Sequence, residues 1–93
     1  MKLPTKHTTP NYKVFIYEDE KICLYSYNTA ICQIDVKNTC ITLSKYYEYS
    51  STTKRHLRWF FEDTMQWNIG VNDIRRALKD CTPINGYTVQ MLS

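Results

Sequence analysis

Alternating apolar and polar residues divide the first half of the chain into four short runs that are typical of β-strands. The four runs are residues 12–17, 22–27, 30–36 and 39–43. Between them lie short polar segments that would form turns, at residues 18–21, 28–29 and 37–38. The pattern therefore predicts a four-stranded antiparallel meander.

Counting residues across the predicted turns gives a register for these strands. The first hairpin would place Tyr17 opposite Ile22 and Phe15 opposite Leu24. All four side chains would then share the face of the sheet that turns away from the main apolar face. Either a terminal segment of the chain covers them, or they form a homodimer or partner patch. The same counting predicts two pairs between the third and fourth strands, Cys32 with Leu43 and Ile34 with Ile41.

The second half of the chain changes to a helical period. Serine and threonine at positions 50–53 are residues that cap a helix start, because a hydroxyl accepts a free first-turn amide hydrogen. A first helix would then place one stripe on the sheet: Leu57, Phe60, Phe61, Thr64 and Met65. After a break at residues 68–70, a second helix would do the same with Ile74, Ala77, Leu78 and Cys81.

The segment Asn85-Gly86 is a strong turn signal, and the alternation of residues 87–92 predicts a last strand. The expected fold is therefore α+β, a four-stranded antiparallel meander with two helices on one face and a C-terminal edge strand. Residues 1–10 contain two prolines and no periodicity, which is typical of a flexible arm. Residues 11–93 would form a single domain.

Composition narrows the classes of function. The formal net charge of +3 permits an acidic partner without requiring one. No apolar run approaches the roughly 20 residues of a membrane span, and no signal-peptide pattern follows Met1. We therefore expect a protein of the cytoplasm. Because no signal peptide is expected and three of the four cysteines lie inside predicted strands, we expect the cysteines to be reduced core residues.

The sequence offers no catalytic signature. The cysteines and the two histidines lack the spacing of a metal site, and two glycines cannot form a phosphate-binding loop. His56, the only histidine in a predicted element, lies at the edge of the helix stripe, where packing explains it. We therefore expect neither an enzyme nor a metal, cofactor or catalytic residue.

The predicted first helix carries the candidate binding surface. Basic and aromatic residues there and just before it combine charge with flat rings, as interfaces and single-stranded nucleic-acid sites do. The candidates are Lys45, Tyr47, Lys54, Arg55, Arg58 and Trp59. On a helical wheel Trp59 lies nearly opposite the apolar stripe. Its ring is then either an exposed anchor, or it packs under the second helix or the N-terminal arm.

One segment resembles a known family. The pattern Y-S-x-T-T-x-x-H occurs here as Tyr49, Ser50, Thr52, Thr53 and His56, and Ser-Tyr-Asn-Thr precedes the third strand. Residues 25–61 resemble small proteins of unknown function that tailed phages and their bacterial hosts encode. The resemblance implies a phage context, hence the host cytoplasm, in which small proteins bind and redirect host machinery.

Together with the lack of a catalytic signature, the resemblance implies a non-enzymatic phage accessory protein that binds and modulates a host protein, such as a defence or nucleic-acid-processing factor. The alternative is direct nucleic-acid binding through the basic and aromatic face of the first helix.

Overall fold

The computed structural model describes residues 11–92, so the flexible arm predicted for residues 1–10 lies outside the described residues. The strands are β1 (Tyr12–Ile16), β2 (Lys21–Ser26), β3 (Thr29–Asp35), β4 (Cys40–Leu43) and β5 (Thr88–Met91). They form one sheet in that order, in which β1 to β4 pair antiparallel and β5 pairs parallel with β4. The helices are α1 (Ser51–Phe60), which continues into a π-helical turn (Phe61–Met65), and α2 (Val71–Asp80). The predicted α+β fold, with its meander, two helices and edge strand, is confirmed.

The core lies between the sheet and the helices. Its sheet residues include Val14, Leu24, Ile34, Ile41 and Leu43, and its helix residues include Leu57, Phe60, Phe61 and Ile74. Each of these side chains is at most 2% exposed. Burying a side chain of this size contributes about 1.5–3 kcal/mol, so this layer is the main source of stability.

The register predicted for the first hairpin is wrong by one residue. Ile16, not Tyr17, lies opposite Ile22, because the loop has an odd number of residues and bends at Glu20 (φ 62°). Since neighbouring residues of a strand point to opposite faces, Leu24 turns into the core and is 0% exposed.

This shift divides the predicted homodimer patch between two faces. Ile22 and Leu24 belong to the core side, whereas Phe15 packs edge-on against Tyr25 on the other face, with 5.5 Å between ring centroids. Tyr17 lies beyond the end of β1 and is 45% exposed. The four residues therefore form no common surface.

The second turn also lies one residue earlier than predicted. Tyr27 and Asn28 form it with positive φ angles of 58° and 83°, the backbone of a tight two-residue hairpin turn. Beyond this turn, β3 has one extra residue, a bulge at Ile31. The bulge directs the following side chains of β3 as predicted, so that Cys32 lies opposite Leu24. The pairs predicted between β3 and β4, Cys32 with Leu43 and Ile34 with Ile41, are confirmed.

The second helix ends before the predicted stripe does. Cys81 adopts a left-handed conformation (φ 55°) at the end of α2 and is exposed, so the expectation that it joins the core is wrong. All four cysteines carry free thiols, and only Cys32 is buried. No helix within residues 11–92 has the length and apolar character needed to cross a membrane.

Candidate functional site

The start of α1 organises the candidate site. Ser50 has an extended backbone, and its hydroxyl accepts the amide hydrogen of Thr53 at 3.1 Å, which fixes the first turn of the helix. The prediction of a serine or threonine cap is therefore confirmed. Lys54, Arg55 and Arg58 follow on the exposed side of the helix.

A cavity of about 660 Å³ separates α1 from the beginning of α2. We call it the basic groove. The residues that line it are Ser51, Lys54, Arg55 and Arg58 from α1, the segment 68–73, and Arg75. Three of the six residues predicted for binding thus lie together, because positions 54, 55 and 58 are neighbours on a helix surface.

The charges of the basic groove are only partly compensated. Arg75 donates from Nε to Glu48 Oε1 at 3.1 Å, forms an ion pair with it through Nη2, and donates from Nη1 to Asn72. The hydrogen bond from Arg75 lowers the pKa of Glu48, and the same contact raises the pKa of Arg75. Among the described residues, Lys54, Arg55 and Arg58 have no ion-pair partner. Three cations without an ion-pair partner in the described part of the chain therefore line this groove.

The amino-terminal end of α2 lies at the wall of the basic groove. Gly70 caps the helix with an extended backbone, and its N–H donates to Asp73 Oδ2 at 2.9 Å. First-turn amide hydrogens carry partial positive charge, so this helix end reinforces the potential of the three side chains, and Asp73 offsets part of it. The groove is therefore suited to an anionic group.

The other predicted site residues lie elsewhere. Tyr47 is 7% exposed and belongs to the core, so the expectation that it contacts a partner is wrong. Trp59 is half-buried, with its ring 5.7 Å from Tyr12 and 5.5 Å from His56, and it does not line the groove. Of the two placements that the sequence left open for this ring, exposed or packed, the structure shows the packed one. Lys45 Nζ lies 5.2 Å from the ring centre of Tyr46.

A second cavity, of about 380 Å³, lies on the other side of the first turn of α1. We call it the tyrosine pocket. Its lining residues are Ser26, Tyr27, Thr29, Ile31, Tyr46, Tyr49 and Thr53. Tyr49 and Thr53 come from the Y-S-x-T-T-x-x-H pattern, and Ser26, Tyr27 and Thr29 from Ser-Tyr-Asn-Thr. The fold brings these two distant segments together.

A chain of hydrogen bonds runs beneath the tyrosine pocket. Ser50 Oγ donates to Thr53 Oγ1 at 3.1 Å, Thr53 Oγ1 lies 3.5 Å from Ser26 Oγ, and Ser26 Oγ lies 2.8 Å from His56 Nδ1. Burial, and then the nearby charge of Arg55, lower the pKa of His56. The imidazole is therefore neutral near pH 7. Its Nδ1 accepts the hydrogen of the Ser26 hydroxyl when every hydroxyl in this series donates toward His56.

Tyr27 is held in the pocket wall by an uncommon backbone. A positive φ is disfavoured for a bulky residue, yet Tyr27 adopts 58° and its N–H donates to the Asn11 carbonyl at 3.0 Å. Its ring centroid lies 5.9 Å from that of His56. The turn therefore fixes this side chain beside the histidine.

The contact between Ser26 and His56 lies in the interior of the protein. Both residues are at most 3% exposed, and no carboxylate among the described residues orients the imidazole, as a hydrolytic serine site requires. No cluster of three metal-binding side chains occurs within residues 11–92. The described surface offers binding chemistry: cations, helix-end amides, hydroxyls and exposed rings.

Sequence reasoning missed Arg75, which lines the groove, and Tyr27 and Thr29, which line the pocket. The Ser-Tyr-Asn-Thr segment was a usable signal for Tyr27 and Thr29, since it belongs to the same family resemblance as the pattern at the start of α1. No comparable signal links Arg75 to Glu48, which lies 27 positions away.

Comparison with known proteins leads to one family. Neither the curated proteins nor the solved structures include a match to this chain. A family of unknown function (DUF8033) matches residues 1–75, a range that includes every residue lining the groove and the pocket. The chain belongs to this family of unknown function, DUF8033.

Proposed function

We propose that this protein acts by binding, without catalysing a reaction, and that its partner is a single-stranded nucleic acid. One observation carries the proposal: three cations without ion-pair partners among the described residues converge with a helix amino terminus in one groove. Phosphates of a nucleic-acid backbone are the anions that such an arrangement holds well.

A single strand fits better than a duplex. Tyr27, Tyr46 and Tyr49 are 48%, 41% and 78% exposed and lie across the first turn of α1 from the groove. Exposed rings beside cations stack unpaired bases, which a duplex does not present. The net charge of +3 is small, so binding would use a few phosphates rather than a long track.

The test is fluorescence anisotropy with a labelled single strand at low salt. The double substitution Arg55→Glu and Arg58→Glu reverses two of the three free charges, and we expect it to weaken binding at least about tenfold. The double substitution Arg76→Glu and Lys79→Glu is the matched control, because it reverses the same number of charges and both residues are exposed on α2 outside the groove. We expect the control to bind nearly as the unchanged protein does.

Two results would contradict the proposal. Absence of binding at low salt would exclude a nucleic-acid partner. An equal loss in the Arg76→Glu, Lys79→Glu variant would show that binding depends on overall charge and not on the groove.

A second candidate is a phage accessory protein that binds and modulates a host protein, for example a defence or nucleic-acid-processing factor. Its support is the pairing of exposed tyrosines with arginines, residue types that protein interfaces favour, and the resemblance to phage-encoded proteins. An acidic segment of that partner would occupy the groove. Capture of one host protein, confirmed with the purified partner and lost in the Arg55→Glu, Arg58→Glu variant, would favour this candidate if single strands do not bind.

A further inference from the structure

We propose that the tyrosine pocket is a base-binding site, which holds one unpaired nucleobase of the strand whose phosphates lie in the basic groove. This inference rests on the proposed function and adds to it the part of the ligand that the groove does not contact.

The walls of the pocket suit a flat ring. Three tyrosines line it, and the most exposed of them, Tyr49, presents 78% of its surface. Tyr46 and Tyr49 meet edge to face, with 6.4 Å between centroids, so the two rings do not fill the cavity by stacking on each other. A volume of about 380 Å³ lies within the usual range for small-molecule sites.

The polar groups of the pocket suit the edge of a base. Ser26 and Thr53 line the pocket, but both residues are 2% exposed and their hydroxyls are engaged in the chain ending at His56. The Thr29 hydroxyl also lines the pocket, and it has no hydrogen-bond partner among the described residues. A hydroxyl both donates and accepts, so that of Thr29, an exposed residue, can meet either kind of group on a base edge.

The surrounding charge argues against a cationic ligand. Three tyrosines could in principle form an aromatic cage for an ammonium group. However, no carboxylate lines this pocket, and the ammonium group of Lys45 already lies over Tyr46. A second cation would be repelled there, whereas a nucleotide would bring negative charge toward Lys45.

The two cavities are placed to share one strand. Ser51 lines the basic groove and Thr53 lines the tyrosine pocket, so only the first turn of α1 separates them. A helix with its side chains is about 10 Å across, which neighbouring nucleotides of one strand can bridge. Phosphates on one side and a base on the other would thus bind together.

The test compares two labelled strands of about 12 nucleotides, a length within the usual range of single-strand sites. One is oligothymidylate, and the other has the same backbone with abasic residues throughout. We expect the unchanged protein to bind the base-containing strand about tenfold more tightly than the abasic strand.

Substitutions then assign that difference to the pocket. Tyr49→Ala should remove most of the tenfold preference and leave the affinity for the abasic strand unchanged, while Tyr49→Phe, which keeps the ring, should retain it. Tyr17→Ala is the control, because Tyr17 is also an exposed tyrosine and lies outside the pocket.

The outcomes separate the two proposals. If both strands bind equally well, the base site is excluded while groove binding stands. If Tyr49→Ala weakens both strands alike, the side chain does not contact a base, and the base site is again excluded. If neither strand binds, the proposed function itself fails, and the base site with it.

Discussion

His56 shows how one buried residue links the core to the binding surface. Its ring is 3% exposed and contacts the rings of Tyr12, Tyr27 and Trp59, while its Nδ1 lies at the end of the hydroxyl chain under the tyrosine pocket. A buried ring in such surroundings is favoured in its neutral form. Protonation would therefore disturb both packing and the hydrogen-bond chain.

The lowered pKa of His56 predicts how stability depends on pH. In the unfolded chain His56 titrates near about pH 6.5, so there it takes up a proton before the folded protein does. The neutral His56 ring contributes fully to the stability of the fold above that pH. This stability is lost as the pH falls through about 6.5 toward the lower pKa of the folded state. We expect the free energy of unfolding, from urea titrations, to fall between about pH 7.5 and 5.5, by no more than about 1.4 kcal/mol per pH unit from this residue. His56→Gln cannot titrate, and an equally steep fall in that variant would contradict this assignment.

At the scale of single elements, the first turn of α1 is the support shared by both cavities. The Ser50 hydroxyl caps this turn and also donates to Thr53 in the pocket floor. We expect Ser50→Ala to lower the free energy of unfolding by about 1 kcal/mol, a usual cost for losing such a cap. Ser51→Ala, at an exposed neighbouring position, should change it by less than about 0.5 kcal/mol. Equal effects in a denaturant titration would mean that the cap does not stabilise the helix.

Elements were predictable where a periodic pattern fixes them. Apolar alternation located β1 to β4 within about a residue, and the stripe Leu57, Phe60, Phe61 located the buried side of α1. The first register was not predictable, because it depends on a left-handed backbone at Glu20, a residue without the freedom of glycine. The bulge at Ile31 similarly has no local signature in the sequence.

The candidate site was likewise predictable only where a periodic pattern fixes its residues. Helical spacing alone places Lys54, Arg55 and Arg58 on neighbouring positions. The opposite wall of the groove depends on where α2 packs, which no local pattern specifies. The sequence left the placement of Trp59 open for a related reason, since its wheel position is exposed on an isolated helix, but Tyr12 and His56 provide a surface against which it packs.

For the whole molecule, the small excess of positive charge predicts a modest dependence of binding on salt. Each phosphate contact to a single strand contributes about −0.7 to the slope of log K against log salt, so three free cations give a slope of about −2. Anisotropy titrations at several salt concentrations would measure it. A slope near zero would mean that the groove does not bind phosphates, and a much steeper one would require cations beyond the groove.

The parallel strand β5 has a consequence for the order in which the molecule assembles. Gln90 of β5 and Thr42 of β4 are 48 positions apart, whereas β1 to β4 join through short turns. Strand pairs that are close along the chain form early, and a parallel pair must wait for the helices that cross between its strands. The tyrosine pocket uses residues between Ser26 and Thr53, so it needs the meander and the first turn of α1, while the basic groove also needs α2. We therefore expect the newly folding chain to form its pocket first, and to complete its groove only in the late step that brings α2 and β5 into place.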